Sequence, residues 1–170
     1  MRKVHTSEID YEGGSPKTLV ERAAARKRDS EEEARRARDE NLRYEEIWCV
    51  FDIDEHPKLP DARQQARDNG IELAVSNPCF ELWLLLHFRE QHAHIECKAV
   101  ATLLKTYIRS YRKHVPFEVL RDGYSEAVQR AQRLDGHHID VNTVGGNPST
   151  NVYQLTERIR EFGRKLRSHS

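Results

Sequence analysis

Apolar residues gather in two dense runs, Ile47–Phe51 and Phe80–Phe88, set among long stretches where charge prevails. The first, Ile47-Trp48-Cys49-Val50-Phe51, reads as a buried strand, because a strand covered on both faces is continuously apolar rather than alternating. It leads straight into Asp52-Ile53-Asp54-Glu55-His56. After His56-Pro57 a short helix is expected from about Pro60 to Asp68, closed by Asn69-Gly70. Ile71–Ser76 reads as a second strand, and Asn77-Pro78 opens the apolar helix Phe80–Phe88. Strand, helix, strand, helix is the order of a parallel α/β sheet.

The flanks are more polar. Val4, Ile9 and Tyr11 mark a weak edge strand within residues 4–12. Gly13-Gly14-Ser15-Pro16 reads as a turn, with Ser15 as N-cap and Pro16 in the first helical position. The helix that follows becomes mostly charge from Arg26 to Asn41, with Glu31, Glu32 and Glu33 spaced to pair with Arg35 and Arg36. That is a solvated face, since a basic nucleic-acid helix would carry fewer acids. Beyond His94 no strand is expected. Lys98–Tyr111, Ser125–Leu134 and Asn151–Leu166 read as helices, Gly136–Pro148 as a loop containing Gly145-Gly146, and Asn147-Pro148-Ser149-Thr150 as a helix start. There are no internal repeats.

Length and composition narrow the class. At 170 residues the chain is one domain with a helical appendage, long enough to bury a core. Residues 1–95 are expected to form the α/β core and 96–170 a helical region packed on it. Hydrophobic residues make up 37% and charged residues 33%, and 28 basic residues balance 28 acidic ones. Zero net charge offers no global attraction for nucleic acid and leaves the question to local patches. The three cysteines, Cys49, Cys79 and Cys97, match no zinc spacing, and their odd number argues against a disulfide framework. A reducing cytoplasm is the natural setting. No signal peptide is recognised, and the longest apolar run, Leu82–Leu86, is too short for a bilayer, so no membrane is expected.

Asp52 and Asp54 carry the first candidate chemistry. They fall at the carboxyl end of the first strand, where open α/β sheets bind ligands. Strand period two puts both on one side, and paired hard oxygens suit Mg²⁺ or a similar ion such as Mn²⁺. The bland alternative is that both acids cap the next helix or face solvent. His56 continues the alternation; a lone histidine is more often structural than a ligand. Three chemistries use an acidic strand end. A haloacid-dehalogenase phosphatase needs a nucleophilic first Asp and a Thr or Val soon after the second, from which Glu55-His56-Pro57 departs. A nucleotide-sugar transferase has no other signature here. A metal-dependent nuclease would hold Mg²⁺ against a scissile phosphate.

Glu81 lies in the first turn of the apolar helix, where the dipole favours a carboxylate. It is a cap on one reading and an added ligand or orienting group beside Asp52 on the other, with Asn77 close by. Phe80, Leu84, Leu85 and Phe88 read as core. Cys79, near a helix N-terminus, has a route to a lowered pKa, but without a His-Asn partner set it reads as packing. His87, His92 and His94 lack the spacing of a zinc site. Arg109, Arg112, Lys113 and His114, interleaved with Tyr107 and Tyr111, form the best basic patch; it is a phosphate contact on one reading and a surface helix on the other.

Val50-Phe51-Asp52-Ile53-Asp54-Glu55-His56-Pro57, then Leu73-Ala74-Val75-Ser76-Asn77-Pro78-Cys79-Phe80-Glu81-Leu82-Trp83-Leu84-Leu85-Leu86-His87-Phe88, and finally Asn147-Pro148-Ser149-Thr150-Asn151-Val152 resemble the motifs of the RloB-like family. The resemblance spans almost the whole chain from about residue 4. That family is similar to TOPRIM-type proteins and occurs with restriction loci and phage-defence systems. The resemblance implies a small Rossmann-like, TOPRIM-like, mostly parallel sheet with a C-terminal helical region. It makes Asp52 and Asp54 metal ligands and catalytic groups, Glu81 the third acid, and His56 and Asn77 supporting residues; Arg112 and Lys113 of the basic patch are the candidate substrate contacts. The family normally begins with an apolar strand ending in Cys-Glu-Gly, which carries an early glutamate. Glu8 and Glu12 precede Gly13-Gly14, but neither ends such a strand, so the chain is expected to start at the family's second strand and to lack one ligand. A truncated gene product, a misplaced start and completion by a partner strand all fit that expectation.

Two functions follow. The first is a cytoplasmic Mg²⁺-dependent nuclease of a phage-defence, abortive-infection or restriction-associated system, acting on DNA or RNA and crippled if the early strand is essential. The second is a non-catalytic nucleic-acid-binding or regulatory subunit of an ATPase partner from the same locus. Homo-oligomerisation stays open under both.

Overall fold

The computed structural model describes residues 14–53, 59–109, 111–112, 115–140 and 145–168. Asp54, His56 and Lys113, and the edge strand expected within residues 4–12, lie outside the described residues. The chain forms two compact units. The first takes Met1–Cys49 and Glu55–Leu73, the second Val50–Asp54 and Ala74–Ser170.

In the first unit, helix α1 (Pro16–Ala37) starts as its sequence predicts. Pro16 occupies the first turn, and the Ser15 hydroxyl accepts the Thr18 N–H at 3.3 Å. Val20, Ala23, Ala24 and Ala34 are its buried apolar positions. Helix α2 (Leu59–Asn69) packs on α1 and buries Ala62 and Ala66. Alanine on both sides lets two polar helices approach closely with little apolar area. The junction is tied by Lys27, whose Nζ donates to the carbonyls of Asn69 (3.0 Å) and Gly70 (2.9 Å). A cation on the last carbonyls of a helix satisfies orphan acceptors and complements the dipole. Gly70 turns the chain at φ +60°, a conformation that favours glycine.

Strands β1 (Trp48–Asp52), β2 (Glu72–Asn77) and β3 (Ser149–Thr150) form a sheet in the order β1-β2-β3. The Ile47 carbonyl accepts from Glu72 N–H at 2.9 Å, and Ile53 N–H donates to the Ser76 carbonyl at 2.7 Å. Low-numbered residues pair with low-numbered ones, so β1 and β2 run parallel. β2 and β3 are antiparallel, with Ser76 opposite Thr150 and Asn77 opposite Ser149. The described sheet is therefore mixed, and the protein is α/β with most of its described residues in helices.

Two expectations need correcting. The run Ile47–Phe51 does form a strand, but it is not covered on both faces: Cys49 is buried while Val50 is 45% exposed. Among the described residues β1 stands at one end of the sheet order, with β2 as its neighbour. Beyond His94 a strand does exist. Ser149 and Thr150, expected to start a helix, pair with β2 first, and helix α7 (Val152–Ser168) begins only afterwards. The buried hydroxyls of Ser76 and Thr150 meet at 2.8 Å, and Asn151 clamps the Val75 backbone, its side-chain oxygen accepting Val75 N–H at 2.6 Å and its own N–H donating to the Val75 carbonyl at 3.1 Å.

The second unit's core is built on α3 (Glu81–Leu86), where Leu82, Leu85 and Leu86 are fully buried. Helix α4 (Cys97–Tyr107), which contributes Val100 and Leu104, and helix α6 (Tyr124–Asp140), which contributes Ala127, Ala131 and Leu134, pack against it. A short helix α5 (Phe117–Arg121) lies between them in sequence. Helix α6 runs into the segment expected as a loop. No helix among the described residues is long and apolar enough to cross a membrane.

Candidate functional site

Asp52 ends β1, and its side chain is used at once. One carboxylate oxygen accepts the backbone N–H of Phe80 at 2.8 Å. Phe80 already has helical dihedrals, and no side chain of its own segment caps α3. Asp52 therefore caps α3 from a neighbouring strand end. The reason is topological: β1 and β2 run parallel, so both carboxyl ends, and the turn into α3, lie together.

Glu81, next to Phe80, is half-buried and accepts the hydroxyl of Tyr111 at 3.0 Å. Burial first, and then this carboxylate, hold the Tyr111 phenol well above its ordinary range. Cys79, two residues before Glu81, is buried. Its pKa is raised, chiefly by burial, the opposite of the lowering that a helix N-terminus alone would produce. Asn77 donates through its side chain to the Gly145 carbonyl at 2.8 Å, which makes it a tie between β2 and the segment before β3. Asn147 mirrors it, pairing with the Ile95 N–H at 3.0 Å and the Ile95 carbonyl at 2.8 Å.

The remaining candidates separate. Arg112 is exposed. Tyr107 stacks on Phe88 with ring centroids 5.0 Å apart, whereas Tyr111 is buried and turned to Glu81, so the basic patch does not present both tyrosines on one surface. Helix α4 ends at Tyr107 rather than Tyr111. His87 is buried, its Nδ1 within 2.9 Å of the Trp83 carbonyl, and burial lowers its pKa. His92 meets Glu90 at 3.0 Å, and His94 is exposed. Among the described residues no group of three or more His, Cys, Asp or Glu is placed to hold a metal. The two described acids of the site, Asp52 and Glu81, offer hard oxygens only. Such a pair suits Mg²⁺, which keeps several waters and takes one or two carboxylates plus substrate oxygens, better than zinc, which wants a closed nitrogen or sulfur set.

Tyr111 is the residue that sequence reasoning did not assign to this site. A tyrosine in a basic segment carries no signal of its destination thirty positions away. Only the packing of α4 and the segment after it against α3 shows it.

A family model described as RloB-like protein matches residues 2–159. No curated protein and no solved structure matches the chain.

Proposed function

The chain belongs to the RloB-like protein family, and from that premise we propose that it is a Mg²⁺-dependent nuclease of the TOPRIM type, hydrolysing phosphodiester bonds of DNA or RNA in a cytoplasmic phage-defence or restriction-associated system. One observation carries the reading. Asp52, at the carboxyl end of a strand, is oriented by Phe80 N–H one residue before Glu81. Two carboxylates from separate elements thus come from adjoining points of one strand-end region. Asp52 and Asp54 would hold the ion, and a bound Mg²⁺ would polarise a phosphoryl oxygen and lower the pKa of water. The Tyr111 hydroxyl fixes one oxygen of Glu81 and leaves the other as an acceptor for water or an outer-shell contact. Asn77 sets the turn by its tie to Gly145, and Arg112 and Lys113 are the proposed phosphate contacts.

Magnesium-dependent cleavage of single- and double-stranded DNA and RNA tests this. Asp52→Asn keeps an oxygen for Phe80 N–H but removes the charge. Losing an outer-shell partner costs about 10–100-fold, so losing a ligand should reduce cleavage by more than ~100-fold while the melting temperature holds. Equal cleavage by the two proteins would sink the assignment. A second reading has its own support, since the described bond of Asp52 is that of a helix cap. A non-catalytic nucleic-acid-binding or regulatory subunit of an ATPase partner would keep its affinity after Asp52 and Asp54 are both changed to Asn.

A further inference from the structure

Between Glu96 and Glu118 the sequence carries no acid, but it carries Lys98, Lys105, Arg109, Arg112 and Lys113. In a chain whose 28 bases balance 28 acids, that stretch is locally cationic. It includes the end of α4 and the turn that follows. Ile108 and Tyr111 are buried there, and Tyr111 N–H donates to the Ile108 carbonyl at 2.9 Å. The turn is anchored by these two residues, while Arg109 and Arg112 are exposed. Neither arginine side chain makes a hydrogen bond or ion pair with the described residues. Tyr107, the last residue of α4, is 45% exposed, and its ring stacks on Phe88 with the two planes 14° from parallel. Phe88 follows α3 and is half-buried, and its neighbour Arg89 is exposed, with only its Nε given to the Glu90 carbonyl at 3.0 Å.

We propose that the Tyr107–Phe88 stack is a platform for a base of single-stranded nucleic acid, with Arg89, Arg109 and Arg112 as contacts to the strand's phosphates. A tyrosine ring packed face to face on Phe88, with nearly half its surface open, can extend the stack by one more flat ring. Every base has a π-face, so the contact tolerates any sequence. A duplex already covers those faces with its own neighbouring bases, so the platform selects single strands. The occupant must also be anionic. Three guanidinium groups flank the aromatic pair in sequence, and Glu90, the acid next to Arg89, is already taken by Arg133 and His92. An apolar protein segment would cover the ring but leave those cations unanswered, whereas a strand answers both, and the planar arginine fork matches phosphate oxygens. Tyr111, turned to Glu81, takes no part in the stack. Calling the bound strand a substrate rests on the nuclease reading; the binding itself does not.

The test uses the full chain in EDTA, so that binding is read without cleavage. It is titrated by fluorescence anisotropy against a labelled oligothymidylate of about 16 nucleotides, the upper end of single-strand site sizes, and against the same strand in a duplex. The single strand should bind more tightly. Tyr107→Ala should weaken single-strand binding by at least about fivefold, and Tyr107→Phe, which keeps the ring, by less than about twofold. Arg109→Gln should lower the slope of log K against log salt by about 0.7, the value of one phosphate contact. Equal affinity for strand and duplex, unchanged binding by Tyr107→Ala, or an unchanged slope in Arg109→Gln would overturn the platform. So would an equal loss in Phe117→Ala, since Phe117 is 67% exposed and any exposed apolar side chain would then serve. Retained oligonucleotide binding with a changed sedimentation coefficient in Tyr107→Ala would assign the face to a second copy instead. Tyr107-dependent binding in a chain with no Mg²⁺-dependent cleavage would remove the nuclease reading alone, and cleavage by a chain whose binding ignores Tyr107 would remove the platform alone.

Discussion

Single side chains in this protein join elements that are far apart in sequence, and most of them are short polar residues. Asn151 lends its oxygen to Val75 N–H, Asn147 grips Ile95 at both backbone atoms, and Asn77 holds Gly145. Each supplies a hydrogen bond that a regular ladder would otherwise have to provide. Asp135 is of another kind. Burial pushes its carboxyl up to about 6, although a hydrogen bond from Tyr153 and the nearby His138 pull it down. Burial favours the protonated form in the folded state, so between about pH 4 and pH 6 the folded chain binds more protons than the unfolded one. Asp135 therefore adds stability in full below the unfolded carboxylate range and loses it as pH rises through about 6. The stability difference between wild type and Asp135→Asn should shift against the wild type by on the order of 1 kcal/mol from pH 4 to pH 7, after allowing for partial exposure. Urea unfolding at a series of pH values measures it, and a flat difference would show that Asp135 stays ionised.

At the scale of elements, α3 organises the second unit, and two glycines, Gly123 just before α6 and Gly136 within it, report on how tightly. A Cβ on Gly123 would stand 2.2 Å from the His87 carbonyl oxygen, which is backbone at the end of α3. A Cβ on Gly136, inside α6, would meet nothing within 4 Å. Gly123→Ala should thus cost about 1–3 kcal/mol through forced backbone movement, whereas Gly136→Ala should stabilise by roughly 0.5–1 kcal/mol through helix propensity. Leu85→Ala, at a fully buried site, should cost about 2–5 kcal/mol. Chemical denaturation of the three variants checks the set, and a loss at Gly136 equal to that at Gly123 would contradict the packing described. The presence of α1, α2, α4 and α7 was legible from capping residues and apolar spacing. Strand β3 was not, because two residues of Ser-Thr have no periodicity, and their pairing depends on where β2 lies. The end of α4 was misjudged for the same kind of reason: Tyr111 continues the helical pattern, but its hydroxyl is drawn to Glu81.

For the molecule as a whole, charge is the property that the composition sets most directly. Acids and bases balance at 28 each, and nine histidines add cationic capacity on the acid side of neutrality. With little net charge to keep copies apart, solubility should be lowest near pH 7. It should rise toward pH 5.5, where imidazoles in general gain charge, and little toward pH 9. Precipitation by polyethylene glycol across that range gives the profile, and a minimum at pH 5.5 would refute it. The balance also leaves any attraction for nucleic acid to local geometry. Arg130 and Arg133 are already engaged, with the Leu86 carbonyl and with Glu90.

The local sequence determined most of the helices and the first two strands, that Asp52 stands at a strand end, and the family to which the chain belongs, because those follow from short-range patterns of apolar, capping and motif residues. It also placed Glu81 at a helix start. What Asp52 does there was decided by tertiary structure. A carboxylate bonds to whatever N–H lies within about 3 Å, and only the parallel pairing of β1 with β2 put Phe80 there. The same holds for Tyr111 against Glu81. Each is a contact of one or two atoms between distant segments, and nothing in the local periodicity of either segment encodes it.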